Sequence, residues 1–477
     1  MTQLHDLTAL EQAAAVRAGE ASPTELVEHF LARIDALDAG LGAFVTVTPE
    51  QALAAAAAAE ARLGRGGELP PLLGVPTAIK DLNNTAGVRT TFGSRVMADF
   101  VPTVDDAVVT ALAAAGTISL GKTNTPEFGY PCYTDNDVAG PARCPWDPSL
   151  LAGGSSGGAA VAVAAGMVPF AQGSDGGGSI RIPASINGIV GVKPSRGRIS
   201  NAPLGADVTG LGTSGPLART VRDAAAMLDA MSGPVLGDFA WAPPLPAGET
   251  FLQAADRSPG RLRIGRYLES PLSGVELEPE IVAAFEDAGK LLESLGHDVE
   301  DVPRGLVGPE VLPSFERVWA LSGTLLPVPP DRVGELRPLT RELRARGLAM
   351  SAQAAMESLT ALRLFARRFL QATAAYDVLL APVVTMTPRP VGWFDADGDG
   401  AEDFERNKRY AAFTALFNVT GQPAVSLPLH WTDGGLPVGT MLVGRPADEV
   451  TLLALSAQVE AARPWVNRHP AGWDYTR

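Results

Sequence analysis

Two glycine-rich loops carry the serines of this chain that are best placed for nucleophilic chemistry. The loops span residues 153–158 and 173–179, and one short apolar segment separates them. Glycine adds nothing to packing and costs backbone entropy, so two such loops indicate that the backbone passes very close to another group. We therefore interpret the stretch 152–200 as the centre of an active site.

Ser179 has the surroundings that a serine nucleophile requires. The backbone amides of Gly176, Gly177, Gly178 and Ser179 can bind an oxyanion, because no side chain on the three glycines blocks them. A helix predicted over residues 180–186 places the Ser179 hydroxyl near its positive end. The alternative is that the loop is only a glycine-rich turn between a strand and a helix.

Lys80 is the candidate base for this serine. It follows an apolar run directly, and lysine is seldom fully buried. Burial lowers the pKa of a lysine from its usual value of about 10.4, and a neutral lysine can accept a proton. The alternative is an ordinary surface ion pair between Lys80 and its neighbour Asp81, and the local sequence leaves both interpretations open.

The sequence contains partial matches to other catalytic and metal-binding motifs, but each match lacks a feature that the motif requires. Residues 153–157 match the GxSxG nucleophile elbow, but two prolines make the preceding segment a poor strand, which that turn requires. No Lys-Ser/Thr pair follows to make a phosphate-binding loop. The acidic segment 395–403 begins like an EF-hand, yet Arg406 stands where the closing glutamate belongs. We interpret that segment as a solvated turn and expect no metal site.

The elements predicted around the loops alternate between short apolar strands and helices, which is typical of an α/β sheet covered by helices on both faces. Strands are predicted at residues 72–81, 117–120, 261–267, 297–302, 376–384, 424–430 and 438–443. Helices are predicted at residues 7–18, 26–37, 49–63, 106–115, 279–295, 409–417 and 449–462. Ser22 and Glu25 form a capping box before the second helix.

No internal repeat or clean linker divides the chain, so we expect one domain over residues 1–477. It comprises an N-terminal helical part (1–65), a core with the glycine loops (72–232), a variable and largely helical section on the substrate side (235–375), and C-terminal strands and helices that return to the core (376–477).

Composition bounds the class of protein. The 477 residues include 38 Lys+Arg and 53 Asp+Glu, a net charge of −15, which argues against broad nucleic-acid binding and against docking on an anionic membrane. The two cysteines, Cys132 and Cys144, are too few for a disulfide scaffold and indicate free thiols in a reducing compartment. With no apolar leader and no run long enough to span a bilayer, we expect a cytoplasmic protein.

Several of these segments together resemble the amidase signature family. The resemblance rests on residues 74–81, 121–129, 153–158, 173–181, 417–424 and 435–439. It spans nearly the full chain and is least defined over residues 235–375. It implies a large, mixed, twisted β-sheet core flanked by helices on both faces.

Carried over position by position, the resemblance implies a Ser-cisSer-Lys triad. Ser179 is then the acylated nucleophile, Lys80 the base, and Ser155 the bridging serine, which follows a cis peptide bond after Gly154. The oxyanion hole comprises the backbone amides of Gly176, Gly177, Gly178 and Ser179. The mechanism implied needs no metal and no organic cofactor.

Other positions receive supporting roles. Asp175 and Arg181 are expected to be buried partners of the second loop, and Asn124 to support the site from outside the triad. Gly129 and Cys132 are candidate residues of the substrate pocket, although a small buried thiol is the simpler role for Cys132.

Gly176 is the main departure from the family pattern, because the family commonly has threonine or an aliphatic residue there. A glycine at this position opens room beside the acyl carbonyl. Ala152 and Ala159 also replace commoner residues, which is a minor difference.

The resemblance predicts an amidase that hydrolyses the C–N bond of a small linear or cyclic amide, of the stand-alone 6-aminohexanoate-cyclic-dimer-hydrolase type. The same triad also fits the glutaminase component of a tRNA-dependent amidotransferase, which needs partner subunits, and an esterase or carbamate hydrolase. A binding protein that uses the glycine loops as scaffold is a further alternative. We expect a small-molecule amide substrate and neither a nucleic-acid nor a membrane partner. The sequence leaves open whether the chain forms a homodimer.

Overall fold

The computed structural model describes residues 3–205 and 207–475. The α-helices are α1 (Ala9–Ala18), α2 (Pro23–Leu41), α3 (Pro49–Arg65), α4 (Ala107–Ala114), α5 (Gly157–Ala164), α6 (Arg181–Asn187), α7 (Val221–Met231), α8 (Phe251–Ala255), α9 (Pro279–Ser294), α10 (Val311–Ser322), α11 (Pro338–Leu348), α12 (Ala352–Ala372), α13 (Gly400–Tyr410), α14 (Ala415–Thr420) and α15 (Glu449–Ala462). The strands are β1 (Phe44–Val47), β2 (Pro76–Lys80), β3 (Ile118–Thr123), β4 (Phe170–Asp175), β5 (Val190–Lys193), β6 (Thr213–Ala218), β7 (Arg263–Arg266), β8 (Asp298–Asp301), β9 (Val378–Pro382), β10 (Ala424–Trp431) and β11 (Pro437–Gly444).

The larger sheet has eight strands in the order β4-β6-β5-β10-β11-β9-β7-β8. Neighbouring strands are antiparallel from β4 to β9, whereas β9, β7 and β8 run parallel. The sheet is therefore mixed, as the sequence resemblance implied. β10 and β11 lie in its middle. They connect β4, β5 and β6, which all come from before residue 220, with β7, β8 and β9.

Helices cover both faces of this sheet, which confirms the α/β prediction. Successive side chains of a strand point to opposite faces. Leu380 and Leu442 accordingly belong to one apolar cluster with residues of α7, α9 and α15. Leu379 and Met441, their neighbours in β9 and β11, belong to a second cluster with residues of α6, α12 and α14. Each cluster buries one face of the sheet.

A second sheet, ordered β1-β3-β2, has three strands and carries Lys80 at the end of β2. β2 meets β4 of the larger sheet through a side chain, because the backbone N–H of Lys80 donates to Oε1 of Gln172 at 2.9 Å. This contact sets the lysine against the strand that leads into the second glycine loop.

The helix starts follow local chemistry. The capping box predicted at Ser22 and Glu25 is present at α2. The helix predicted over residues 409–417 is wrong: α13 ends at Tyr410 and α14 begins at Ala415. α13 starts earlier than predicted because the Asp399 side chain accepts hydrogen bonds from the amides that follow it.

The acidic segment 395–403 is therefore not simply a solvated turn. Asp399 caps α13, Asp395 pairs with Arg337, and Asp397 pairs with Arg406. Each of these three carboxylates has a structural partner. Within residues 3–205 and 207–475, no helix has both the length and the apolar character needed to cross a membrane.

Candidate active site

Ser156 holds the two glycine loops against each other. Its amide donates to the carbonyl of Ser179 at 3.1 Å. Its hydroxyl donates to the carbonyl of Ser174 at 3.1 Å and accepts the Ser174 amide at 3.2 Å. The neighbouring Ser155 and Ser179, both almost fully buried, consequently line the same cavity.

Lys80 reaches this cavity from β2. Its Nζ lies 2.8 Å from Oγ of Ser155, 3.1 Å from Oγ of Ser174 and 3.4 Å from the Ser174 carbonyl. The side chain is fully buried. Burial lowers the pKa of Lys80 to about 7, although the negative charge of Asp175 acts in the opposite direction.

The surface ion pair between Lys80 and Asp81 does not form. Asp81 is buried as well, and its carboxylate accepts hydrogen bonds from the amide and the hydroxyl of Thr91 at 2.9 and 2.5 Å. The two neighbours therefore bind different partners.

The peptide bond between Gly154 and Ser155 is cis, as the resemblance implied. A β-carbon on Gly154 would lie 2.6 Å from the backbone of Tyr133. Only glycine allows this close approach of the two chain segments.

The second loop differs from the sequence prediction in one amide. The N–H of Gly178 donates to Oδ1 of Asp175 at 2.8 Å, so it is not free for an oxyanion. A β-carbon on Gly178 would also meet Thr414 and Ile182. Gly178 thus serves the shape of the loop. The amides of Gly176, Gly177 and Ser179 donate to no acceptor within the described part of the chain.

Asp175 and Arg181 form a buried ion pair beneath this loop. Arg181 Nη2 donates to Oδ1 at 2.8 Å and Nε donates to Oδ2 at 3.0 Å. Asn418 adds a hydrogen bond of 2.9 Å to the same carboxylate. Burial alone raises the pKa of Asp175, but the Arg181 guanidinium outweighs burial and holds this pKa far below its usual range. The carboxylate therefore stays charged and fixes the loop.

Asn124 makes its hydrogen bonds with residues other than Lys80, Ser155 and Ser179. Its side-chain amide donates to the carbonyls of Gly42 and Gly140, each at 3.0 Å. The backbone carbonyl of Asn124 accepts a hydrogen bond from the amide of Gly158, in the first turn of α5, at 3.1 Å. Asn124 therefore supports the helix that follows Ser155.

Two pockets meet at Ser179. The large pocket has a volume of about 240 Å³ and the small pocket about 70 Å³. Tyr130, Ser179 and Trp319 line both pockets. The large pocket is also lined by Leu82, Phe128, Gly129, Ser155, Ser174, Asp175, Gly176, Asp207, Thr209, Leu211, Gly212, Val318 and Ser322. The small pocket is also lined by Pro131, Cys132, Gly177, Ile182, Phe315, Phe404, Asn407, Lys408, Ala411 and Ala415.

The two candidate substrate residues lie in different pockets. Gly129 borders the large pocket, and a β-carbon there would lie 3.3 Å from Oγ of Ser155 and 2.6 Å from Leu82. Cys132 borders the small pocket, and its amide donates to Asn407 at 2.6 Å. Burial, with a smaller contribution from Asp403, raises the pKa of the Cys132 thiol well above its usual value, so this thiol is not a nucleophile.

Sequence reasoning expected the acyl pocket to be lined from near residues 129–133 and from the section 315–374, and both segments do line the small pocket. It did not single out Ser174 or Trp319. Ser174 contacts Lys80 directly, and period-two alternation along β4 could have found it, because Gln172 on the same face also binds Lys80. Trp319 comes from α10, and no local sequence signal links it to a loop 140 residues earlier.

A mixed sheet that presents two glycine-serine loops to a buried lysine defines a hydrolase of the amidase signature class. The sequence profile of the family described as Amidase matches residues 25–453. The chain belongs to this family and is a hydrolase that acts on amide bonds.

Individual relatives cover the chain almost completely. The 6-aminohexanoate-cyclic-dimer hydrolase of Paenarthrobacter ureafaciens is 37% identical over 97% of this chain and 96% of its own length. A solved structure of 6-aminohexanoate cyclic dimer hydrolase complexed with substrate superimposes with a TM-score of 0.90 at 34% identity, covering 99% of this chain and 100% of that chain. The solved structure of a bacterial aryl acylamidase of the amidase signature family superimposes with a TM-score of 0.86 at 29% identity, covering 97% of this chain and 98% of that chain.

Proposed function

We propose that this chain hydrolyses carboxylic amides through an acyl-enzyme on Ser179, with Ser155 carrying protons between Lys80 and the reacting atoms. The observation that carries the proposal is the 2.8 Å contact between Lys80 Nζ and Ser155 Oγ in a buried site, where the pKa of Lys80 falls to about 7. A fully charged lysine could not act as a base at neutral pH.

The three contacts of Lys80 fit a neutral amine. A neutral amine has two N–H donors and one lone pair. The two oxygens of Ser174 can accept the two N–H groups, at 3.1 and 3.4 Å. The lone pair then accepts the hydroxyl proton of Ser155, which leaves the oxygen of Ser155 able to accept the proton of Ser179.

The reaction proceeds in two halves. Ser179 Oγ attacks the amide carbonyl, while its proton passes through Ser155 to Lys80. The oxyanion accepts hydrogen bonds from the amides of Gly176, Gly177 and Ser179. The proton then returns through Ser155 to the leaving nitrogen, the C–N bond breaks, and the amine departs. Water attacks the acyl-enzyme in the second half, which releases the carboxylic acid and restores Ser179.

The small pocket supports a free organic amide as the substrate rather than glutamine. Phe315, Trp319 and Phe404 give it an aromatic lining. Its lysine, Lys408, is already paired with Glu316 at 2.8 Å and Glu405 at 2.6 Å. An amino-acid carboxylate therefore finds no unpaired cation among these lining residues, whereas an apolar acyl chain loses contact with water there.

The test compares the purified chain with its Ser179→Ala variant on butanamide, L-glutamine and a butanoate ester. We expect butanamide hydrolysis by the wild type and a loss of about 10⁴-fold or more in the variant. Ser258→Ala, which removes an exposed hydroxyl far along the chain, is the matched control and should keep full activity. Comparable turnover by the Ser179→Ala variant would contradict the proposal, and activity on glutamine alone would favour the glutaminase function.

A further inference from the structure

The indole of Trp319 lies where a side chain on residue 176 would stand. A β-carbon built on Gly176 would be 3.1 and 3.2 Å from the Cη2 and Cζ3 atoms of the indole. Both distances are shorter than ordinary van der Waals contact, so a β-carbon at residue 176 would require the indole to move by a few tenths of an ångström. The φ angle of Gly176 does not fall in the left-handed region, so the space beside the indole, and not the backbone conformation, favours glycine there.

Aromatic neighbours fix this indole. Phe315, one turn earlier in α10, stacks on it with ring centroids 5.6 Å apart. Tyr130 meets it edge to face at 5.8 Å. Such pairs stabilise one orientation of the ring. The indole is therefore held in place as part of the wall between the large pocket and the small pocket.

The position of Ser155 tells which part of a substrate enters each pocket. Ser155 lines the large pocket and not the small pocket. The leaving nitrogen must receive its proton from Ser155, so the amine side of the scissile bond lies in the large pocket. The acyl side then extends into the small pocket, past Gly177 and Phe315.

We propose that Gly176 and Trp319 act together as a specificity pair, in which the indole separates an acyl pocket from an amine pocket and thereby selects N-substituted amides with an apolar group on each side of the C–N bond. This inference rests on the proposed function of Ser179 and Ser155. It gives the absence of a side chain at residue 176 a physical reason, because the Trp319 indole fills the adjoining space.

The first test is a double-mutant cycle on kcat/KM for N-butylbutanamide. Gly176→Ala should lower kcat/KM by about tenfold in the wild-type background, because the added methyl displaces the indole. In the Trp319→Ala background the same change should cost no more than about twofold. Equal effects of Gly176→Ala in both backgrounds would overturn the coupling.

The second test is the ratio of kcat/KM for N-butylbutanamide to kcat/KM for butanamide. The wild type should prefer the N-substituted amide by about tenfold, since burying the butyl group in the large pocket is favourable. Trp319→Ala should change this ratio at least about fivefold, whereas Trp241→Ala, which removes an exposed indole, should leave it unchanged. An unchanged ratio in Trp319→Ala would reject the role in specificity.

Two further arms keep the outcomes distinct. If Trp319→Ala does not fold by circular dichroism, Trp319→Phe and Trp319→Leu replace it in both tests. Ser179→Ala is assayed beside them. Residual turnover in Ser179→Ala means that the proposed function has failed, whereas an inactive Ser179→Ala with no coupling between residues 176 and 319 rejects the specificity pair alone.

Discussion

Lys80 and Asp81 are neighbours in sequence but belong to two different buried hydrogen-bond networks. Lys80 contacts Ser155 and Ser174 at the cavity, whereas Asp81 binds the amide and hydroxyl of Thr91. Among the residues that the structure describes, no carboxylate is in direct contact with the Lys80 amine. This arrangement lets burial lower the pKa of Lys80.

The activity should depend on the ionisation of Lys80. Its pKa of about 7 means that the amine is charged below pH 7 and neutral above it. Since only the neutral amine accepts a proton, kcat/KM for an amide should rise about tenfold per pH unit below pH 7 and level off above it. A pH–rate profile measures this. Lys80→Met should abolish the activity, and a wild-type profile with no inflection near pH 7 would exclude Lys80 as the base.

Lys80 should also reduce stability at low pH. Its pKa is about 7 in the folded chain and about 10.4 in an unfolded one, so the unfolded state binds more protons between these values and stability rises with pH across that window. Lys80→Met removes this dependence. Its gain in unfolding free energy over the wild type should be larger at pH 6 than at pH 9 by about 2.7 kcal/mol. Urea unfolding at both pH values measures it, and a gain independent of pH would be inconsistent with a lowered pKa.

The ion pair of Asp175 and Arg181 should be important for stability because it is buried. Asp175→Asn leaves the Arg181 guanidinium without its anion and should cost about 3–5 kcal/mol of unfolding free energy. The matched control is Asp298→Asn, which breaks an exposed pair with Arg261 and should leave the unfolding free energy almost unchanged. Chemical denaturation compares the two variants, and similar small losses in both would show that the buried pair does not hold the loop.

Neither cysteine should react with thiol reagents in the native protein. Cys132 and Cys144 are both buried and unpaired by a disulfide, and burial raises the pKa of each thiol. Titration with a chromogenic disulfide reagent should therefore detect almost no thiol before unfolding and two thiols per chain after it. Rapid modification of the native protein, with loss of activity, would place Cys132 at an open and reactive position of the small pocket instead.

Local chemistry made much of the fold predictable. The capping box at Ser22 and the helix over residues 449–462 depend on neighbouring residues, and the structure has both. The strand predicted over residues 72–81 is present as β2, Pro76–Lys80, and begins later than predicted. The helix predicted over residues 409–417 failed because the cap at Asp399 starts α13 earlier than the apolar pattern indicated. A single carboxylate that accepts backbone amides was enough to move that boundary.

The site was predictable where the sequence resemblance supplied the residues, and less so where distant segments meet. Gly178 could be recognised as part of the loop, but its hydrogen bond to Asp175 depends on the folded turn. The packing of Trp319 on Gly176 joins α10 to a loop far earlier in the chain. The sequence near either residue does not predict this contact. Contacts of this kind follow from the tertiary fold, whereas periodicity and capping describe only nearby residues.

The contacts of Ser156 determine how this centre can be altered or transplanted. Because its amide and hydroxyl bind Ser179 and Ser174, the two loops have one fixed relative position. Lengthening or shortening either loop alone should move Ser155 and Ser179 away from their positions beside Lys80. The pair of loops must therefore change together during divergence, and a designer who grafts this centre onto another scaffold must move both loops and β2 as one unit.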